Sequence, residues 1–160
     1  MIFLSISSFR NSLSKLLKAK KEEYFSVRSD ITKESFNKSF EEIFLKPEMV
    51  RQRKDYKIIK ARLSNSRSKL SKRDGFRIIY LISSKKDVVC LFYIYPKAGS
   101  LGQTNILDED MANYIEEFIK EYEDKTLICH DIVNNLSTNK KHLCNIDSCV
   151  HEQISCTTND

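Results

Sequence analysis

Five side chains that could act together on a phosphate group lie on three predicted strands in the middle of the sequence. Side chains alternate along a strand, so Lys60 and Arg62 share one face of YKIIKARL. Arg77 lies near the start of GFRIIYLI, and Tyr95 ends VVCLFYIY. Lys97 keeps the parity of Tyr95 if that strand extends further. If the strands pair in sequence, all five side chains converge on the sheet face that points away from the helices.

This set combines cations with a phenol and contains neither a histidine nor a carboxylate. It is therefore poorly suited to peptide or ester hydrolysis through a catalytic triad. Cations can bind the phosphates that flank a scissile bond, and they neutralise the charge that develops on a pentacoordinate phosphorane. An aromatic ring can stack on a base of single-stranded RNA. The pattern favours chemistry on RNA.

The excess positive charge of the chain is concentrated around these strands. Residues 46–77 contain twelve Lys and Arg against three acidic residues, a net charge of +9, whereas the whole chain carries +5. Such a stripe predicts an anionic partner, of which nucleic acid is the commonest. The alternatives are a solvated surface and, for Arg77, a structural role in which it pairs with Asp55 or Asp74 or extends its head to water.

Composition places the chain among globular proteins. With 160 residues and 41% hydrophobic content it is long enough for one domain with a real core. No apolar run approaches the roughly 20 residues of a membrane span. The opening IFLSI is predicted to be a first strand rather than part of a signal peptide. Five cysteines without an export signal favour reduced thiols and a cytoplasmic location.

Hydrophobic periodicity predicts the order β-α-α-β-β-β-α. The first helix follows Ser7 or Ser8 as N-cap, and the second runs from Thr32 to about Leu45. A third helix starts at Asp108, where three successive acids suit the helix dipole. GFRIIYLI and VVCLFYIY, apolar on both faces, form the central antiparallel pair. The fold class is α+β: a small antiparallel β-sheet with an N-terminal helical hairpin and a C-terminal helix, the helices against one sheet face.

The pattern changes character near residue 124. We predict a domain over residues 1–123 and a weakly ordered tail over residues 124–160, where sustained periodicity is missing. The tail is rich in possible zinc ligands, but it lacks the CxxC spacing that zinc modules usually show, so we predict incidental thiols and no metal or cofactor. The residues concerned are Cys129, His130, His142, Cys144, Cys149, His151 and Cys156.

Three segments, in order, resemble the RelE/ParE toxin superfamily, most closely its RelE/HigB-like branch. YKIIKARL is similar to the family's strand that ends in basic-x-Arg-Leu, and a polar loop follows it. GFRIIYLI is similar to the Gly-aromatic-Arg-aliphatic-aliphatic-Tyr segment, and VVCLFYIYPKAG to the strand that ends in Tyr-x-Lys. The loop YPKAGSLGQTNILDEDM resembles a subgroup with Gly and Asn before an acidic helix start. The similarity spans residues 1–123 and is strongest over 56–115.

The resemblance implies a RelE-like fold and a type II toxin-antitoxin system toxin, held by a cognate antitoxin protein that also brings it to operator DNA. RelE-type toxins enter the ribosomal A site, beside 16S rRNA, and cut mRNA without a metal ion. The 2′-hydroxyl attacks the adjacent phosphate, leaving a cyclic phosphate and a 5′-hydroxyl. An mRNA interferase of this kind inhibits translation and arrests growth.

By position in these motifs, the resemblance also assigns roles to residues. Lys60 and Arg62 match the basic pair that positions the substrate, and Arg77 matches the arginine that stabilises charge on the scissile phosphate. Lys97 and Tyr95 are the candidates for proton transfer, although a lysine needs a lowered pKa to act as a base. The residues expected to bind ribosomal RNA from the polar loop are Arg67, Lys69, Lys72 and Arg73.

The sequence also departs from the family pattern. Ala98 follows Lys97 where some members carry a second cation, and the helix that follows has no evident catalytic tyrosine. Two alternatives stay open: a ParE-like DNA gyrase inhibitor, and a degenerate toxin that only binds its antitoxin. The cationic strand face favours the RNA-cleaving branch.

Overall fold

Seven strands form one mixed sheet in the part of the chain that the structure describes. The structure is a computed structural model that describes residues 1–131 and 137–138, with the exception of residues 20–21, 37, 46–48, 53 and 86. In chain order the strands are β1 Ile2–Ser5, β2 Met49–Gln52, β3 Tyr56–Leu63, β4 Phe76–Ser83, β5 Val88–Pro96, β6 Ile128–Asp131 and β7 Ser137–Thr138. Across the sheet they follow the order β2-β3-β4-β5-β1-β6-β7.

Helices cover this sheet on both faces, and the predicted α+β class is confirmed. The helices of the described residues are α1 Ser7–Leu17, α2 Val27–Ile31, α3 Phe40–Phe44 and α4 Asp108–Glu123, with a π-helical turn at Thr32–Phe36. α1 to α3 cover one face, because their apolar residues join the core of β3 to β5 on that side. α4 packs on the opposite face. The prediction that all helices lie against one face is therefore wrong. The reason is that β4 and β5 are apolar on both faces, and both faces must be buried.

The sheet is mixed rather than purely antiparallel, which corrects a second prediction. β3, β4 and β5 do pair antiparallel in succession as predicted. β1, however, pairs in parallel with β5, from Ile2 opposite Val88 to Ser5 opposite Leu91. β5 is buried on both faces, so the backbone groups along its second edge need hydrogen-bond partners from another buried strand. β1 provides these partners. The apolar composition of β1 predicts a buried strand, but it does not show whether the strand pairs parallel or antiparallel.

The second predicted helix is divided in the structure. α2 already begins at Val27, the π-helical turn follows from Thr32, and α3 is a separate short helix. Ser39 starts α3 with a capping box: its hydroxyl accepts from the Glu42 backbone N–H at 3.2 Å, and the Glu42 carboxylate accepts from the Ser39 N–H at 2.8 Å. A serine in this role begins a helix, which is why the periodic stripe over 32–45 does not form one continuous element.

The sheet continues past the boundary that we predicted at residue 123. β6 pairs antiparallel with β1, and Leu127 just before it is almost fully buried. His130 on β6 is also buried, and its Nε2 lies 2.7 Å from the Ser5 hydroxyl. β2 (MVRQ) and β6 (ICHD) were not predicted, because they are as short as β1 but lack its apolar run. The remaining histidines and cysteines of the tail lie outside the described residues.

The start of α1 is bound by carboxylates of α4 rather than by a side chain of its own N-cap. The N-cap is Ile6, not Ser7 or Ser8. The Ser7 N–H donates to Glu121 at 2.7 Å and the Ser8 N–H donates to Glu117 at 2.8 Å. Negative charge at a helix N-terminus is favourable, so these contacts attach α4 to the start of α1.

These contacts make stability depend on the charge of Glu121. Burial alone would raise the pKa of this carboxyl, but the Ser7 hydrogen bonds and the Arg10 guanidinium 3.1 Å away outweigh burial and hold its pKa below the ordinary 4.5. We expect Glu121→Gln to lower the free energy of unfolding by about 1.5 kcal/mol at neutral pH. Because the folded pKa is depressed, the wild-type advantage is complete above the unfolded pKa and is lost as pH falls through the folded pKa.

Urea unfolding of wild type and Glu121→Gln, repeated from neutral pH to below 4.5, measures this difference. The exposed Glu116→Gln on the same helix is the control, and its stability should track that of the wild type. A difference between wild type and Glu121→Gln that stays constant as the pH falls would contradict the assignment.

Candidate nucleic-acid interface

The strand register brings the five predicted site residues to one face of the sheet. Arg62, Arg77 and Tyr95 lie directly opposite one another on β3, β4 and β5. Lys60 is one row further along, opposite Ile79, and Lys97 follows the end of β5. We call the surface formed by these residues the cationic face: Lys60, Arg62, Arg77, Tyr95 and Lys97.

The cationic face is bordered by α4, which corrects the prediction that it points away from all helices. A bulge in the β4–β5 pairing leaves Phe92 and Tyr93 on the same side of the sheet. Phe92 packs against Phe118 of α4, with ring centroids 5.7 Å apart. Tyr93 stacks on Tyr114 of α4, with ring centroids 5.2 Å apart. α4 therefore buries the apolar part of this sheet face. The cationic face lies beside the helix.

Lys60 is a lysine of the cationic face with a lowered pKa. Its pKa is lowered by burial first, and then by the positive charges of Arg77, Lys97 and Arg62. Its Nζ donates a hydrogen bond to Asn105 Oδ1 at 2.5 Å. A lysine with a lowered pKa releases its proton closer to neutral pH and can then accept one from a substrate hydroxyl. The pKa of Lys60 is therefore shifted in the direction that a general base requires, which makes Lys60 a candidate for this role.

Arg77 is buried, with 8% of its surface exposed, and its guanidinium is directed toward the neighbouring loop. Its Nη1 donates to the carbonyl oxygens of Lys72 at 2.9 Å and Phe76 at 3.1 Å, and its Nη2 donates to that of Arg73 at 2.7 Å. These three carbonyl oxygens carry no net charge. Arg77 thus fixes the loop, and on the sheet it lies between Arg62 and Tyr95.

Tyr95 is a buried phenol whose hydroxyl has no hydrogen-bond partner among the described residues. Burial raises its pKa, against the opposing effect of the Arg77 charge. The hydroxyl therefore keeps its proton at neutral pH, which suits a hydrogen-bond donor and argues against a base. An unsatisfied buried hydroxyl costs free energy, and burial keeps this one out of direct reach of a ligand in this structure.

The loop after β5 accepts hydrogen bonds from both lysines of the cationic face. Lys97 Nζ donates to the carbonyl oxygen of Thr104, while Lys60 Nζ donates to Asn105. Gln103 Nε2 donates to the Tyr93 hydroxyl at 3.4 Å. In the sequence, the asparagine of this loop stands out only as part of a motif. No periodicity reveals such contacts, because they depend on how the loop folds back over the sheet.

A second loop, residues 64–75, projects cations beside the cationic face; we call it the basic loop. Its exposed cations include Lys69, Lys72 and Arg73. The polar loop that the sequence predicts here is anchored: Asn65 and Leu70 exchange backbone hydrogen bonds of 3.0 Å. The buried carboxylate of Asp30 accepts from the Ser66 N–H at 3.1 Å and from the Ser66 hydroxyl at 2.5 Å.

Arg67 of the basic loop is paired with a carboxylate of the segment before α2. Its guanidinium lies 3.0 Å from the Glu22 carboxylate, with both side chains more than half exposed. An exposed ion pair of this kind contributes little to stability and is easily exchanged for a phosphate. Arg67 therefore stays available to a polyanion.

Gly75 permits the close approach of the basic loop to β3. A Cβ at this position would lie 2.1 Å from the Leu63 carbonyl oxygen. We expect Gly75→Ala to lower the free energy of unfolding by about 3 kcal/mol, because backbone on both sides would have to move. Gly102→Ala is the matched control: its Cβ comes no closer than 3.1 Å to the surrounding atoms, so its effect should be smaller. Equal stability of both variants in urea unfolding would contradict this explanation.

Comparison with known proteins adds no relative: no protein-family model matches the chain, and no curated protein is significantly similar to it. Among the described residues, no group of three or more His, Cys, Asp or Glu side chains could hold a metal ion. None of the helices described has both the length and the apolar character that crossing a bilayer requires.

Proposed function

We propose that the chain is a RelE-like type II toxin that cuts mRNA on the ribosome. The observation that carries this proposal is the convergence of four cations around a buried, unpartnered phenol on one sheet face. Like charges repel, so this arrangement costs free energy unless an anion such as an RNA phosphate binds there. The three motifs that resemble the RelE/HigB-like branch lie on the strands that form this face.

The proposed reaction is an intramolecular transesterification in RNA. Lys60, as the free amine, accepts the proton of the 2′-hydroxyl while the 2′-oxygen forms a bond to the adjacent phosphorus. Lys97 gives a proton to the 5′-oxygen as the bond between phosphorus and that oxygen breaks. The products are a 2′,3′-cyclic phosphate and a 5′-hydroxyl, and the proton taken up by Lys60 balances the one given by Lys97.

The remaining residues of the cationic face stabilise the phosphorane. Arg62 is exposed and can bind a nonbridging phosphate oxygen directly. Arg77 supplies a fixed positive charge, and the buried Tyr95 lies opposite it on β5. Donors that are already oriented need no reorganisation as charge develops, and each is worth about 10²–10³ in rate.

The basic loop would bind ribosomal RNA near the A site. Lys69, Lys72 and Arg73 are exposed on a loop fixed to α2 through Asp30, so they meet a phosphate backbone in a defined arrangement. As in other toxins of this kind, a cognate antitoxin would cover the active surface and bring the complex to operator DNA.

Primer extension on a reporter mRNA after brief induction tests the proposal in cells. We expect cuts within the translated frame, at positions that require translation, and no cuts with Lys60→Met. Growth arrest with intact mRNA and broken DNA would instead identify a gyrase inhibitor. The absence of any growth arrest would identify a degenerate toxin.

A further inference from the structure

Asn105 lies where it can control the position of the Lys60 amine. Its Oδ1 accepts the hydrogen bond from Lys60 Nζ at 2.5 Å. The loop that carries it is fixed on both sides. The Gln103 N–H donates to the Pro96 carbonyl at 2.9 Å, and the Leu107 N–H donates to the Asp110 carboxylate at 3.0 Å. The side chain that accepts this hydrogen bond therefore belongs to a loop whose backbone is fixed on both sides of it.

Three cations lower the pKa of Lys60 through their charge. Arg62 lies on its own strand, Arg77 comes from β4, and Lys97 follows β5. The phenols of Tyr93 and Tyr95 on β5 are on the same face. A lysine has a flexible stem of four carbons, and repulsion from three cations would turn its head toward solvent. An acceptor on the cationic face is needed to keep it there.

We propose that Asn105 is a positioning residue that holds the Lys60 amine on the cationic face by accepting its hydrogen bond. The role rests on the proposed function, in which Lys60 removes the proton of the 2′-hydroxyl. A neutral amide suits it better than a carboxylate. It orients the amine without adding the negative charge that would keep Lys60 protonated.

Two variants of Asn105 distinguish the loss of the hydrogen-bond acceptor from the addition of a negative charge. Asn105→Ala removes the acceptor, and we expect it to slow single-turnover mRNA cleavage about tenfold with unchanged thermal stability. Asn105→Asp keeps an acceptor but adds a charge, so it should slow cleavage at neutral pH and approach the wild-type rate as the pH rises. Asn11→Asp, which adds the same charge on the exposed side of α1 at the opposite sheet face, is the control and should leave rate and pH profile unchanged.

A measurement that needs no RNA tests the contact itself. NMR titration of the Lys60 ε-methylene, assigned from Lys60→Arg, should give a higher midpoint in Asn105→Asp than in wild type or Asn11→Asp. If the wild type cleaves RNA but the midpoint does not move, the inference is overturned and the proposed function stands. If the midpoint rises but the wild type cleaves no RNA, the proposed function fails and only the pairing of Asn105 with Lys60 holds. A wild-type cleavage rate in Asn105→Ala would overturn the positioning role as well.

Discussion

Lys60→Met is expected to slow mRNA cleavage on purified ribosomes about 10³-fold, which is the range that general base catalysis supplies. Methionine keeps a stem of similar length, so packing on β3 should change little. It removes the amine of Lys60, whose pKa is lowered by burial and by the surrounding cations. The measurement is the single-turnover rate on ribosomes that carry a defined mRNA with an empty A site.

Lys60→Arg is the matched control for charge. Arginine keeps the positive charge but does not give up its proton in proteins, so it cannot act as a base. We expect it to be about as slow as Lys60→Met. The wild-type rate should rise with pH up to the lowered pKa of Lys60, and this limb should be missing in both variants. A Lys60→Arg enzyme with near wild-type rate would show that Lys60 contributes charge and not proton transfer.

Arg77→Met is expected to cause the second largest loss, about 10²–10³-fold in cleavage rate, because the fixed charge beside the phosphate disappears. The same change leaves three carbonyl oxygens of the chain without the donors that they have in the wild type. We therefore also expect the free energy of unfolding to fall by about 2–3 kcal/mol. Urea unfolding and the single-turnover rate measure the two losses separately.

Arg77→Lys distinguishes the two contributions. Lysine keeps the charge but lacks the planar fork that reaches several carbonyl oxygens at once. We expect part of the cleavage rate to return while the stability stays low. If Arg77→Met is as stable and as active as wild type, neither the structural nor the electrostatic role that we assign to Arg77 holds.

The central part of the fold could be predicted from sequence because its signals are long and local. The strands around Arg77 and Tyr95 are unbroken apolar runs, and α4 starts where acidic residues precede a helical stripe. Their antiparallel pairing follows from the short turn between them. Side-chain parity then placed Lys60, Arg62 and Arg77 on one face, which the register of the strands reproduces.

What could not be predicted depends on contacts between distant segments. β1 pairs in parallel with β5, and α4 packs on the second sheet face. The sequence does not distinguish these arrangements from others in which similar apolar segments pack together. β6 is short, and its place beside β1 is marked by a buried contact between Ser5 and His130. The hydrogen bond from Lys60 to Asn105 spans 45 positions in the chain, so neither residue type nor spacing reveals it.

The central claim is that the cationic face activates a 2′-hydroxyl for attack on the adjacent phosphate. The most direct test is cleavage of an mRNA with a single 2′-deoxynucleotide at the mapped cut site, on purified ribosomes, beside the all-ribose control. We expect the control to be cut to a 2′,3′-cyclic phosphate and a 5′-hydroxyl, and the deoxy-substituted mRNA to stay intact at that position. Cleavage of the deoxy-substituted mRNA at the same rate would contradict the central claim.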